Sequence, residues 1–291
     1  MQQQNLGTFS RVIARRGVEQ GIIVWLITCT LLLGLPQITS AIGTFISAPQ
    51  RVDMVYDDAR SILYITSGDR VLRYHRDSAT FLNPFVLGGQ LRGIDLSPDG
   101  NTLAVADESY TSQVWVYLID LQTEQTRKAS FQGWSTGEGG TYAVAFGNDG
   151  AVLISSANYW SPLRRYDPRT GQASDFNATM GLVAERTMLR ASADGTVIGF
   201  EEGNISDGRF GRYRVADGDL LHKTGYQDGT GSFNYEMAVN HNGTQYAVVS
   251  NSGWTFIMDA NLVKIMILQN SGGAGPIGVV YHPTRDIVYF A

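Results

Sequence analysis

Six short segments of this chain share one pattern: "YDDARSILYI", "LSPDGNTLAV", "FGNDGAVLIS", "ASADGTVIGF", "VNHNGTQYAV" and "YHPTRDIVYF". Aligned on Arg60, Gly100, Gly150, Gly195, Gly243 and Arg285, they recur at intervals of 40, 50, 45, 48 and 42 residues. A repeat of this period constrains the fold more than any other feature, because each unit must bury its apolar face on its neighbours. Six residues before the anchor stand Met54, Ile94, Val144, Leu189, Met237 and Val279, and four before it stand Tyr56, Leu96, Phe146, Ala191, Val239 and Tyr281. All are apolar, although the chain as a whole is only 43% hydrophobic. The column between them is mixed (Val55, Asp95, Ala145, Arg190, Ala238, Val280). Apolar positions two apart describe a strand with one face in a core. Three residues after the anchor, Leu63, Leu103, Leu153, Ile198, Tyr246 and Val288 are again apolar and mark a second strand.

A third and fourth run follow in most units, as in "VWVYLIDLQTEQ", "LRRYDPRTGQ", "GRYRVADGDLL" and "WTFIMDANLVK". The Asp-Pro-x-x-Gly turn from Asp167 to Gly171 sets φ with proline and supplies positive φ with glycine. One unit is therefore four antiparallel strands. Four-stranded sheets repeated at this period predict an all-β chain, a β-propeller of four-stranded blades over residues 51–291. Six blade starts are visible, and the last unit reaches Ala291 after only two strands. The expectation is a truncated seven-bladed ring, with a five-bladed ring and an appended hairpin as the alternative.

"LSPDGNTLAVAD" followed by "VYLIDLQT", and "YDPRTGQ" in the next unit, resemble the bacterial YVTN/WD40-like propeller repeats, which also occur in the lactonase-like seven-bladed family. The likeness spans nearly all of residues 50–291 and rests on turn and core positions. The Gly-His opening and Trp-Asp close of true WD40 repeats are absent.

The N-terminus is of another kind. Residues 1–20 carry Arg11, Arg15 and Arg16 against Glu19, and "GIIVWLITCTLLLGL" (21–35) has no charge. Pro36 and the small residues Thr39, Ser40 and Ala41 follow. A basic region, an apolar core and a small-residue exit predict an apolar signal helix in a signal peptide over 1–41, with 42–50 a linker. The rival is a signal anchor held in the membrane by residues 21–46, although the apolar core is shorter than the ~20 residues of a span. Either reading makes the protein exported, periplasmic or at the cell surface. Cys29, the one cysteine, lies in the apolar core, so residues 42–291 contain no disulfide. Removing residues 1–41 takes the net charge of −5 two units further negative. This disfavours nucleic acid and anionic membrane surfaces as partners and leaves the N-terminal segment as the membrane contact.

Five and seven residues before the anchors stand Asp53, Asp95, Arg190 and Glu236, which a propeller places along its central channel. Asp53, Asp95 and Glu236 are candidate ligands for Ca2+ or Mg2+, the cofactor that the lactonase-like resemblance implies as an alternative to none. The bland reading is channel lining, with the carboxylates of blades 1, 2 and 5 spread around the ring. Arg92, Tyr142, Arg186 and Tyr235 form a candidate rim for an anionic or sugar-like ligand. The Gly-rich loops "LGGQLRG", "GEGGTY", "LVAERTM", "GSFNYE" and "GGAGPIG" contain no GxxxxGK[ST] sequence. His75, His222, His241 and His282 show no metal-ligand spacing. Trp134 and Trp160, near loops, read first as packing residues and second as a carbohydrate surface. The expectation is an exported, non-enzymatic binding or scaffolding module with a protein or carbohydrate ligand at one propeller face. The alternative is a lactonase-like hydrolase working in the channel.

Overall fold

A computed structural model describes residues 45–110, 113–176, 181–206, 208–224, 234–250, 254–269 and 278–290. The signal peptide (1–41) and the first three linker residues (42–44) lie outside these, as does all but the end of the alternative anchor segment (21–46). The chain divides into two units, Met1–Ser47 and Ala48–Ala291, and all that follows concerns the second.

Every described element is a β-strand. The first sheet comprises β1 (Arg51–Asp57), β2 (Ile62–Ser67), β3 (Arg70–His75) and β4 (Thr80–Val86). The second comprises β5 (Leu91–Leu96), β6 (Thr102–Asp107), β7 (Val114–Asp120) and β8 (Thr126–Phe131). The third runs β9 (Thr141–Phe146), β10 (Val152–Ser156), β11 (Leu163–Asp167), β12 (Gln172–Phe176), and the fourth β13 (Met188–Ala191), β14 (Val197–Glu201), β15 (Arg209–Arg214), β16 (Leu220–Thr224). The fifth runs β17 (Asn234–Val239), β18 (Gln245–Ser250), β19 (Trp254–Asp259), β20 (Lys264–Gln269), and β21 (Val279–Tyr281) pairs with β22 (Val288–Phe290). Each four-stranded sheet is an antiparallel meander in chain order.

The hairpin anchors behave as their residue types require. Gly100, Gly150, Gly195 and Gly243 all adopt positive φ, between 67° and 78°, where a side chain would be strained. In the first repeat the left-handed residue is Ser61, one position later. The turns are closed by short polar side chains: Thr102 N–H and Val197 N–H donate to Ser97 Oγ and Ser192 Oγ at 2.8 and 3.1 Å. Gly171 likewise has positive φ, and its N–H donates to the Asp167 carbonyl at 2.9 Å.

The core lies in layers between consecutive sheets. Ile62, Tyr64 and Val71 meet Ile94, Leu103 and Val105. Ala104, Val116 and Leu118 meet Val144, Phe146 and Ile154. Leu153 and Leu163 meet Leu189 and Phe200, Val197 and Phe210 meet Met237 and Tyr246, and Ala247 and Ile257 meet Tyr281. First strands neighbour first strands, β1 beside β5, β5 beside β9, and so on to β21. At Gly93 the approach is so close that a Cβ would sit 2.8 Å from the Ala143 Cα.

The apolar columns face these layers with one instructive exception. Met237 is 1% exposed, whereas Met54 in the same column is 61% exposed and Val52 and Tyr56 beside it are also open. The column packs onto the preceding sheet, and no described sheet precedes β1. Val280 and Tyr289, on the last pair of strands, are similarly exposed.

Candidate functional site

The first strand of a sheet carries a bulge near its start in four sheets. The pairing register shifts between Arg51 and Met54, between Leu91 and Ile94, between Ile154 and Ser156 opposite β9, and between Asn234 and Glu236. Asp53, Arg92, Tyr142 and Tyr235 all fall within those stretches. A bulge twists the strand and re-aims the side chain that it carries. Asp53, Arg92 and Tyr142 therefore owe their orientation to a local irregularity that the alternation of the strand does not encode.

Arg190 of β13 is the hub of the charged residues. Its Nη1 and Nη2 donate to Asp53 Oδ2 and Oδ1 at 3.2 and 3.3 Å, and its Nε donates to Glu236 Oε1 at 3.1 Å. Residues of the first, fourth and fifth sheets thus share one guanidinium. Burial opposes the charge of Arg190, but Asp53 and Glu236 more than compensate and hold its pKa further up. Burial pushes the Glu236 carboxyl above its ordinary value, with Arg190 pulling it part of the way back.

Asp95 sits beside this hub with a different role. Its Oδ1 accepts the Leu96 N–H at 2.9 Å and its Oδ2 accepts the Phe146 N–H of the next sheet at 2.7 Å. Burial raises its carboxyl to about 7 against the pull of those two amides, and the charge of Asp53 adds to the rise. Asp53 Oδ2 makes the corresponding reach one sheet earlier, accepting the Ile94 N–H at 3.3 Å. The second-strand hydroxyls do the same work in reverse: Thr66 Oγ1 donates to the Arg92 carbonyl at 2.7 Å and Ser155 Oγ to the Thr187 carbonyl at 2.6 Å.

At the starts of the strands, Arg92 pairs with Glu108. Tyr142 is half-buried, and burial raises its hydroxyl pKa while Arg92 and Arg186 oppose the rise. Arg92 and Arg186 are thus each within electrostatic reach of Tyr142. Arg186 is exposed and holds φ of 60°, an uncommon conformation for its type, with its N–H donating to the Ser156 carbonyl at 2.9 Å. Tyr235 belongs to β17, and its side chain lies outside the described ones. Among the described residues no group of three or more His, Cys, Asp or Glu is placed to hold a metal ion. No protein-family model matches this chain, and no curated protein does.

Sequence reasoning missed a second polar centre. Glu138, in the loop between β8 and β9, is buried and accepts two hydrogen bonds from the buried Arg164 guanidinium, at 2.6 and 2.5 Å, and one from the Trp134 N–H at 2.5 Å. The adjoining tryptophans correct the packing reading: Trp134 is 43% and Trp160 44% exposed. Their loops are short of apolar neighbours and turn the rings outward. Trp115, by contrast, is half-buried and donates its indole N–H to Asp107 at 3.1 Å.

Proposed function

We propose that this chain is an exported β-propeller that serves as a binding or scaffolding module, related to the YVTN/WD40-like repeat proteins. Successive four-stranded meanders with adjacent first strands support the propeller reading, as does the reach of Arg190 back to the first sheet. The observation that carries the non-enzymatic reading is the mutual satisfaction of the central polar groups. Asp53 and Glu236 are spent on Arg190, and both oxygens of Asp95 are spent on backbone amides. A hydrolase that polarises its substrate with a divalent ion needs carboxylates directed at that ion. Here a fixed guanidinium stands between two of the three, so the donor set does not fit Ca2+ or Mg2+.

Two measurements test this reading. The full chain is incubated with a γ- or δ-lactone, with and without Ca2+ or Mg2+, and its melting is followed in parallel. No turnover above buffer and no cation-dependent rise in melting temperature are expected. Cation-dependent turnover that Asp95→Ala or Glu236→Ala abolishes would overturn it in favour of the hydrolase. Export is tested by N-terminal sequencing of the protein recovered from a bacterial host, with a start just after Ala41 expected. A retained N-terminus in an exported product would establish the anchor, and a cytosolic product would refute export.

A further inference from the structure

We propose that the loops joining β8 to β9 (132–140) and β10 to β11 (157–162) form a binding surface for neutral oligosaccharide chains. This deepens, and rests on, the reading of the chain as a binding module. In an antiparallel meander both loops emerge at the end where β9 begins, which is also the end that carries Tyr142. They present Trp134, Tyr159 and Trp160, exposed to 43%, 36% and 44%.

The two loops form a single rigid platform. The Glu138–Arg164 pair ties the first loop to β11 from beneath. The Gly139 N–H donates to Asn158 Oδ1 at 2.9 Å, linking the first loop to the second. The Tyr159 ring lies against Gly137, where an added Cβ would stand 3.2 Å from its Cε2. Ser161, the residue after Trp160, is bridged to Val183 on the following loop. A buried ion pair is a costly way to stabilise a loop compared with apolar packing. What it supplies is a fixed geometry, and a fixed geometry lowers the entropic cost of binding.

The chemistry of the platform selects the ligand. Glu138 is the only charged side chain in the two loops, and it is buried and neutralised by Arg164. The other residues are mostly Gly, Ser, Thr, Asn and Gln. Large flat rings that expose both a π face and a polar edge, set among amides and hydroxyls and without charge, complement a sugar ring. The apolar C–H face of the sugar stacks on the aromatic ring while its hydroxyls meet the polar rim. A protein interface enriches Met and Arg alongside its aromatics and is depleted in Ser; these loops contain no Met or Arg, and Ser135 and Ser161 flank the rings.

Affinity electrophoresis tests the proposal. The full chain, kept soluble in a sugar-free detergent, migrates through native gels containing hydroxyethylcellulose, glucomannan, xyloglucan or glycogen, with anionic alginate as comparator. Retardation by at least one neutral polysaccharide is expected. Trp134→Ala and Trp160→Ala should each weaken it by about tenfold, with melting temperatures unchanged because both rings are exposed. Trp134→Phe should retain most of it. Retardation by none of the neutral polymers, retardation by alginate alone, or retardation insensitive to both alanine variants would overturn the proposal. The lactone assay reads turnover and not retention, so failure of the binding-module reading registers there, and failure of the sugar site registers here.

Discussion

Replacing Arg164 by Met removes the guanidinium and keeps most of the side chain's length. Arg164 is 3% and Glu138 0% exposed at the side chain, so water does not reach the carboxylate left behind. The Trp134 N–H still donates to it, but nothing balances its charge. Breaking a buried pair by removing one partner costs about 3–5 kcal/mol, and that is the loss expected at pH 8. The pH dependence should change sign. In the wild type, burial pushes the Glu138 carboxyl up, but the Arg164 hydrogen bonds and charge more than reverse this and leave it below its ordinary value of 4.5. That stabilisation is present above pH 4.5 and is lost as the pH falls through the lowered pKa. In the variant the guanidinium no longer opposes burial, only the weaker pull of the Trp134 N–H and Ser156 remains, and the folded pKa rises above the unfolded one. The folded form then holds the extra proton, and stability falls as pH rises through that interval. The gap between wild type and variant should therefore narrow by about 1.4 kcal/mol per pH unit as the pH is lowered toward 5. Urea unfolding at pH 8, 6 and 5 measures it. The double variant Glu138→Gln/Arg164→Met should recover to within about 1–2 kcal/mol of wild type, because it leaves no orphan charge. A cost below about 1 kcal/mol at pH 8, or one independent of pH, would refute the account.

Further outcomes follow from the same geometry. Phe146→Ala should cost about 3–5 kcal/mol in denaturant unfolding, and Leu96→Ala, half-buried in the equivalent column, measurably less; equal costs would contradict the assigned packing. Asp95, raised to about 7 when folded, should make stability fall between about pH 4 and pH 7 and level off above. The difference between wild type and Asp95→Asn, followed by unfolding across that window, should carry this slope, and a flat difference would dismiss it. Arg190→Met should cost about 1–3 kcal/mol at neutral pH, since three charge-assisted bonds are lost at a site that retains partial solvent access; a neutral effect on the melting curve would mean the three bonds contribute nothing.

The sheets were legible because their information is local. Gly100 and Gly195 state the turn, and Val144 with Phe146 state the buried face, within a few residues of each other. The same column misleads at Met54, where burial depends on a neighbouring sheet rather than on the strand itself. The bulges at Arg92 and Tyr142 leave no mark in the alternation, apart from Gly93, whose missing Cβ permits the close approach of β9. Asp53, Arg190 and Glu236 were recognised as column members, but their meeting at one guanidinium depends on how the first, fourth and fifth sheets are disposed. Spread-out carboxylates were expected, and two of the three share a partner. Glu138 and Arg164, 26 residues apart, could be paired only once the loop between β8 and β9 was seen to fold over β11. Trp134 and Trp160 looked like core residues by type, and only their small, polar loop neighbours hinted otherwise.

The bond from Arg190 to Asp53 joins residues 137 positions apart, far more than the hairpins within any sheet. Each meander can assemble from neighbouring segments, and each core layer needs only two adjacent sheets. The Arg190–Asp53 bond must wait until four sheets are in place, so it belongs to the late, downhill side of the folding barrier. Its loss should leave the refolding rate nearly untouched and quicken unfolding. The expected consequence is a brake on opening: a bond that contributes little to how fast the structure is found and more to how long it is kept.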